Sequence, residues 1–138
     1  MKKILLMSAL VTAVLFAAGD KKEDAATVKM HRVQTMQNLE VAMATLQKGF
    51  LYNNTALVKE GITKLKFNIQ DVKDFEVEND KDKKFDASSY AKAEIGAISK
   101  LADGMLKDFE GGSKEKVLAG FQKTLNQCVT CHLIVRKW

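Results

Sequence analysis

Two cysteines and a histidine near the C-terminus are the residues of this chain best suited to chemistry. They lie in the stretch Cys128-Val129-Thr130-Cys131-His132, a C-x-x-C-H pattern, which is the attachment signature of c-type haem. Each thiol adds across one vinyl group of the porphyrin. On a helix, cysteines three apart point to nearly the same side, because three residues turn the helix by roughly 300°. The adjacent histidine can offer a nitrogen to the iron. The pattern therefore predicts one haem c, bound through two thioethers.

Three other interpretations of the same residues are open but weaker. Zinc usually takes four nitrogen or sulfur ligands, and the chain has two cysteines and two histidines, His31 and His132. A thioredoxin-type redox pair requires a βαβ context, and no strand pattern surrounds the motif. A disulfide between Cys128 and Cys131 would close too small a loop to stabilise the fold much through chain entropy.

The N-terminal residues have the pattern of a secretory signal. Lys2 and Lys3 precede an uncharged apolar run over residues 4–18, about fifteen residues, which is short for a membrane span. Small residues predict cleavage after Gly19, with an uncleaved membrane anchor as the alternative. Residues 1–19 are thus predicted to be a cleaved signal peptide, and residues 20–138 a single domain in the periplasm. Loss of the signal lowers the formal net charge from +5 to +3. With no long basic run, this charge argues against a nucleic-acid partner.

Apolar residues at three- and four-residue spacing predict four amphipathic helices. The first covers about residues 25–52, and Asn53-Asn54-Thr55 breaks it and can cap the second. Gly111-Gly112 ends the third helix, and Ser113 with Glu115 opens the fourth. The predicted core-facing residues are, helix by helix, Met36, Leu39, Met43, Leu46 and Phe50; Val58, Ile62, Leu65, Ile69 and Val72; Ala91, Ile95, Ile98, Ala102, Met105 and Phe109; and Leu118, Phe121, Leu125, Cys128, His132 and Val135.

The connections between these helices predict an all-α fold, an up-down-up-down four-helix bundle that encloses the haem. Residues 76–84 are polar and of mixed charge, and they are predicted to form the longest loop. Gly96 and Gly104 each cost the third helix about 1 kcal/mol against alanine, so either close packing or plain tolerance explains them. Three residues could cap the start of that helix: Asp86, Ser88 and Ser89.

With these features the mature chain resembles, over essentially its whole length, the class II c-type cytochromes, the cytochrome c′ family. That family is a four-helix bundle with C-x-x-C-H near its C-terminus. Its last helix is similar to this one, with an aromatic residue (Phe121) seven residues before the first cysteine and an arginine (Arg136) four after the histidine. Its first helix resembles Arg32-x-x-x-Met36. Its third helix opens with a stretch similar to Ala91-Lys92-Ala93-Glu94-Ile95.

The resemblance implies a role for each residue of the motif. Cys128 and Cys131 carry the thioethers, and His132 is the proximal axial ligand of the iron. Arg136 is implied to sit near the proximal histidine, where it could tune that ligand or bind an anion. The alternative for Arg136 is a surface arginine that favours the C-terminal end of the helix dipole.

Arg32 and Met36 are four residues apart, so they share one helix face and lie about 6 Å apart along the axis. In the family, the arginine at this place pairs with a haem propionate, and the residue at the methionine position lies over the distal face of the iron. Methionine on an apolar face is usually core packing, but beside haem its sulfur is a good iron ligand. His31 lies about 140° further round the helix and is predicted to face solvent. Packing roles are predicted for three other methionines, Met30, Met43 and Met105.

Two functions follow from these interpretations. In the first, the protein is a periplasmic electron carrier with iron ligated by His132 and Met36, and it exchanges electrons with periplasmic redox proteins. In the second, the iron is five-coordinate and binds NO or CO, for gas binding or NO detoxification, with Met36 as a steric lid. A structural bundle without cofactor is a third hypothesis, against which the motif argues. No acid/base constellation is visible, so no enzyme is predicted. Dimerisation through the first two helices, common in the family, is left open.

Overall fold

The computed structural model describes residues 24–74 and 85–136, and within them the chain forms helices and no strand. The four α-helices of this part are α1 (Ala25–Leu51), α2 (Thr55–Asn68), α3 (Ala87–Glu110) and α4 (Lys114–Arg136). A 3-10 helix, Ile69–Asp74, follows α2 directly. The predicted all-α class and the four predicted helices are confirmed. The predicted signal peptide at residues 1–19, its cleavage position and the predicted loop at 76–84 lie outside the described residues.

Polar side chains set the starts of three helices. Asp24 caps α1, Asn54 caps α2 and Asp86 caps α3, each accepting a hydrogen bond from a backbone N–H of the first turn at 2.9 to 3.2 Å. The predicted cap within residues 53–55 is thus confirmed, and Asp86 is the cap among the three candidates for α3. The chain leaves α1 and α3 through residues of positive φ, Asn53 at 50° and Gly112 at 75°, and this conformation ends a helix.

The second helix is shorter than predicted. The apolar stripe from Val58 to Val72 has α-helical spacing, but α2 ends at Asn68 and the chain continues as the 3-10 helix. The side-chain amide of Asn68 donates to the carbonyl of Lys64 at 2.7 Å, so it competes with the backbone ladder at this point. Residues three apart share one side of a 3-10 helix. Ile69 and Val72 therefore both stay buried, as predicted.

Glycines let α1 and α2 approach closely. A Cβ on Gly61 would lie 2.8 Å from the backbone nitrogen of Leu46, and a Cβ on Gly49 would lie 2.8 Å from that of Val58. No side chain can be accommodated at either position, and Leu46 and Val58 are fully buried beside them. These contacts pair the end of α1 with the start of α2, so the two helices run antiparallel.

The third helix runs antiparallel to both of its neighbours. Met105 of α3 packs on Gly120 of α4, where a Cβ would lie 2.6 Å from Cγ of Met105. Ion pairs between exposed side chains join α3 to α2, namely Lys59–Glu110 and Lys66–Asp103. Exposed pairs of this kind stabilise a fold little, so packing at the core and at Gly120 holds α3 in place. In the described part of the chain, no helix is both long and apolar enough to cross a membrane.

The last helix is rotated about its axis relative to the predicted stripe. Val117 and Thr124 are buried, with exposed fractions of 4% and 0%. Leu118 and Leu125 are 56% and 50% exposed. The prediction that these two leucines face the core was therefore wrong.

Contact with α3 explains this rotation. Gly120 has no side chain and Thr124 has a small one, so α4 approaches Met105 of α3 along this side. The hydroxyl of Thr124 donates to the carbonyl of Gly120 at 2.9 Å, which satisfies it in the core. Phe121 and Cys128, which were predicted to face inward, do pack against the buried core. Leu118 and Leu125 are left exposed.

Candidate functional site

The two cysteines of the motif lie on the inward side of α4. Both are half-buried, and both are free thiols. Burial raises the pKa of Cys128, and the nearby Cys131 and Glu94 raise it further. Burial and then the charge of Glu94 also raise the pKa of Cys131. The two thiols are therefore protonated at neutral pH, and they lie close together where solvent access is limited.

His132 lies on the flank of α4 that faces α1. This flank is marked by Phe121, whose ring meets that of Phe50 in α1 with centroids 5.9 Å apart. His132 follows Phe121 by eleven residues, about three helical turns, so both project from the same flank. The side chain of His132 is half-buried.

The opposite flank, on α1, holds the residues predicted for the other side of the iron. Met36 and Met43 precede Phe50 by fourteen and seven residues, about four and two turns, so the three share one flank. Both methionines are half-buried and pack against the core. Arg32 lies one turn before Met36, and its Nε atom is buried. His31 is exposed, as predicted.

A gap separates α1 from α4. Among the described residues, no Cα of α1 lies within 8 Å of a Cα of α4, whereas directly packed helices have axes about 8–10 Å apart and bring Cα atoms closer. The ring of Phe50 bridges the gap at one end through Phe109 and Phe121, at centroid distances of 5.8 and 5.9 Å. Beyond these rings, the apolar side chains of Leu125 and Val129 on α4 are exposed. We call this space the α1–α4 slot.

The residues around the α1–α4 slot fit a haem carried by α4. A flat and mostly apolar ring attached to Cys128 and Cys131 requires apolar walls on both sides, and the two flanks supply them. The thioether of Met36 and the imidazole of His132 are both good ligands for haem iron. Arg32 offers a guanidinium to a carboxylate such as a propionate, a contact that arginine makes well.

Two residues beside the motif were not assigned to the site from the sequence. Tyr90 and Glu94 lie one turn apart on α3, on the flank that faces α4. Burial raises the pKa of Tyr90 to about 12, and the charges of Glu94 and Cys131 and a hydrogen bond with Glu94 add to this effect. The Oε2 atom of Glu94 is buried and has no hydrogen-bond partner within the described residues. The i, i+4 spacing of a tyrosine and a glutamate next to the core stripe was the signal available in the sequence.

Arg136 is the last residue of α4, one turn after His132. Its side chain lies outside the described part, so its role beside the proximal ligand stays a prediction. Trp138 also lies outside that part.

Within residues 24–74 and 85–136, no three side chains of histidine, cysteine, aspartate or glutamate come together as a metal-binding group. Comparison of the chain with known protein families, with curated proteins and with solved structures finds no match. An assignment of function therefore rests on the chain's own residues.

Proposed function

We propose that this chain is a periplasmic monohaem c-type cytochrome that transfers electrons, built as an up-down-up-down four-helix bundle of the cytochrome c′ type. The observation that carries the proposal is the position of Cys128 and Cys131: two free, half-buried thiols on one side of α4, next to the α1–α4 slot. The C-x-x-C-H pattern is the signature of haem c. The antiparallel contacts between consecutive helices support the bundle.

His132 and Met36 are the proposed axial ligands, one from each side of the slot. When bound, the haem supplies an iron that alternates between the ferric and ferrous states. The protein's contribution is to hold both ligands in place on rigid helices. Little then has to move when an electron arrives or leaves, and this favours fast transfer. Histidine and methionine together also raise the reduction potential.

Two arginines are proposed to act on the charged parts of the site. Arg32 would pair with a propionate, and its buried Nε supports this because a guanidinium forms strong bonds to carboxylates when water is excluded. Arg136, one turn beyond His132, would lie near the proximal ligand and tune it or bind an anion.

The packing of the α1 flank favours a second candidate function. Met36 and Met43 both pack against the core, and a thioether held there can cover the iron without binding it. The iron would then be five-coordinate, and the protein would bind NO or CO with Met36 as a steric lid. In both candidates the haem is attached through Cys128 and Cys131.

Covalent attachment is tested by expressing the full chain in a bacterial host that assembles c-type cytochromes in its periplasm. The denatured periplasmic protein should have the mass of residues 20–138 plus one haem. Cys128→Ala and Cys131→Ala should each leave one thioether, and the double variant should hold no covalent haem. An unmodified wild-type chain, recovered from a host that matures a control cytochrome, would rule out the proposal.

The choice between the two candidates is made from the absorption spectrum of the ferric protein. A low-spin pattern with a weak far-red band from sulfur bonded to iron is expected for the electron carrier. A high-spin pattern, together with ready CO binding by the reduced protein, would instead establish the gas-binding candidate.

A further inference from the structure

Glu94 lies level with the haem-attachment motif, on the side away from α1. Met105 and Gly120 are in contact, and α3 and α4 run antiparallel. Glu94 precedes Met105 by eleven residues, and Cys131 follows Gly120 by eleven residues. Equal steps along two antiparallel helices reach the same level, so the glutamate stands opposite Cys131 across the interface of α3 and α4.

The effect of Glu94 on both thiols agrees with this position. Its charge contributes to the raised pKa values of Cys128 and Cys131. The charge of the same carboxylate also raises the pKa of Tyr90, one turn away on α3, after the larger effect of burial. The pKa values of Tyr90 on α3 and of Cys128 and Cys131 on α4 thus all respond to this carboxylate, which agrees with its position beside the two cysteines.

The environment of this carboxylate is unfavourable for a residue with a purely structural role. Its Oε2 atom is buried, and the described residues offer it no hydrogen-bond donor. A buried carboxylate oxygen without a donor loses its hydrogen bonds to water and forms none with the protein, which costs free energy on folding. A glutamate that served only to fill the interface of α3 and α4 would be replaced at a gain by an apolar residue of similar size.

We propose that Glu94 sets the reduction potential of the haem, by holding a half-buried negative charge, with its Oε2 atom buried, beside Cys128 and Cys131 and so stabilising the ferric over the ferrous iron. The inference rests on the proposed function. A negative charge close to the iron favours the state with the higher positive charge, and a medium of low polarity screens this effect little. Tyr90 lies one turn before Glu94 on the same side of α3, next to the carboxylate.

The test is the midpoint potential of the haem-loaded protein, measured by redox titration for the wild type and for Glu94→Gln. This variant keeps the shape of the side chain and removes its charge. We expect the potential to rise while the ferric spectrum stays unchanged, because both axial ligands remain. The rise should largely persist at high salt, since a partly buried charge is screened less than an exposed one.

Glu115→Gln is the matched control. It removes the same charge from the exposed first turn of α4, thirteen residues before Cys128, and it should leave the potential nearly unchanged at high salt. Tyr90→Phe keeps the charge of Glu94 and removes only the neighbouring hydroxyl, so it should shift the potential less than Glu94→Gln. If Glu94→Gln does not fold, Glu94→Met, which leaves no buried polar atom, replaces it.

The inference is overturned if Glu94→Gln, or Glu94→Met in its place, has the same potential as Glu115→Gln. Failure of the proposed function would look different, because the wild-type chain would then carry no covalent haem to titrate.

Discussion

The ring of Phe50 in α1 meets the ring of Phe121 in α4 edge-on, with centroids 5.9 Å apart and ring planes at 90°. In the proposed up-down-up-down bundle α1 and α4 run antiparallel, so this pair sets their register. Met43, seven residues before Phe50, is level with Cys128, seven residues after Phe121. The level of His132 falls between those of the two methionines on the α1 flank, about 4.5 Å from Met36 and about 6 Å from Met43 along the axis. Met36 is thus the nearer of the two in level.

Met36→Leu tests which sulfur binds the iron. The substitution keeps an apolar side chain of similar size, so the fold should be retained. In the electron-carrier candidate, the ferric spectrum should change from low-spin to high-spin, the far-red band should disappear and the potential should fall, because a ligand that raises it is lost.

Met43→Leu is the matched control for this prediction. It makes the same change on the same flank, two turns away, and should leave the spectrum of the wild type intact. A low-spin Met36→Leu protein combined with a high-spin Met43→Leu protein would transfer the ligand assignment to Met43.

The rotation of α4 predicts opposite results for two adjacent residues. Val117→Ala removes buried methyl groups and should lower the free energy of unfolding by about 2 kcal/mol. Leu118→Ala should change it by no more than about 0.5 kcal/mol, because more than half of that side chain is exposed. Chemical denaturation of both variants measures the difference. A larger loss for Leu118→Ala would restore the orientation expected from the apolar stripe.

Glycines in α1 to α3 divide into those that packing requires and those that it does not. A Cβ on Gly96 or Gly104 would meet no atom within 4 Å, so plain tolerance explains them. Each substitution to alanine should stabilise the protein by up to about 1 kcal/mol. Gly61→Ala should instead destabilise it by about 1–3 kcal/mol, because α1 and α2 would be forced apart at Leu46. Thermal unfolding of the three variants gives these values, and a stabilised Gly61→Ala would show that α1 and α2 can separate at Leu46 at little cost in free energy.

Tyr90 predicts a loss of stability at high pH. Its pKa is raised to about 12 from the ordinary value of 10.0, first by burial and then by Glu94. The folded state therefore holds the phenolic proton more tightly than the unfolded state. The contribution of protonated Tyr90 to the free energy of unfolding is complete below pH 10. It is lost as the pH rises from about 10 to about 12. The thermal midpoint of Tyr90→Phe should fall less steeply than that of the wild type between pH 10 and pH 12.

The other tyrosine of the chain supplies the control for the pH prediction. Tyr52 is 67% exposed, so Tyr52→Phe removes a phenol that is not buried in the fold and serves as the comparison. Thermal midpoints measured from pH 8 to 12 compare the three proteins. Parallel curves for Tyr90→Phe and the wild type would show that the phenol at position 90 does not titrate abnormally.

The sequence was sufficient for the helices, because their apolar spacing is a local pattern, whereas the haem chemistry of the motif stays a prediction. Apolar spacing identified four helices, and Cys128 to His132 are neighbours in the chain. The orientation of α4 could not be predicted, since Val117 and Leu118 both fit an apolar stripe. The choice between them depends on the contact of Gly120 with Met105, two residues from different helices.

Longer-range relationships explain the remaining differences. Met105 is buried as predicted, but Met30 is 68% exposed, and its predicted packing role was wrong. Met30 lies about 140° round α1 from the buried Thr35. Residue spacing along α1 shows this angle, but it does not show which side of the helix faces the core. Glu94 was visible in the sequence but not recognisable as part of the site, because its neighbours belong to α4.

The closeness of α1 to α2 and of α3 to α4 has a consequence for how the chain folds. Each of these pairs joins segments that are consecutive in the chain, so each hairpin forms with little loss of loop entropy. Proteins dominated by such local contacts fold quickly. The contact of Phe50 with Phe121 joins the two hairpins across most of the folded chain. We expect it to form late, so that the side of the molecule proposed to hold the haem is the last part to fold.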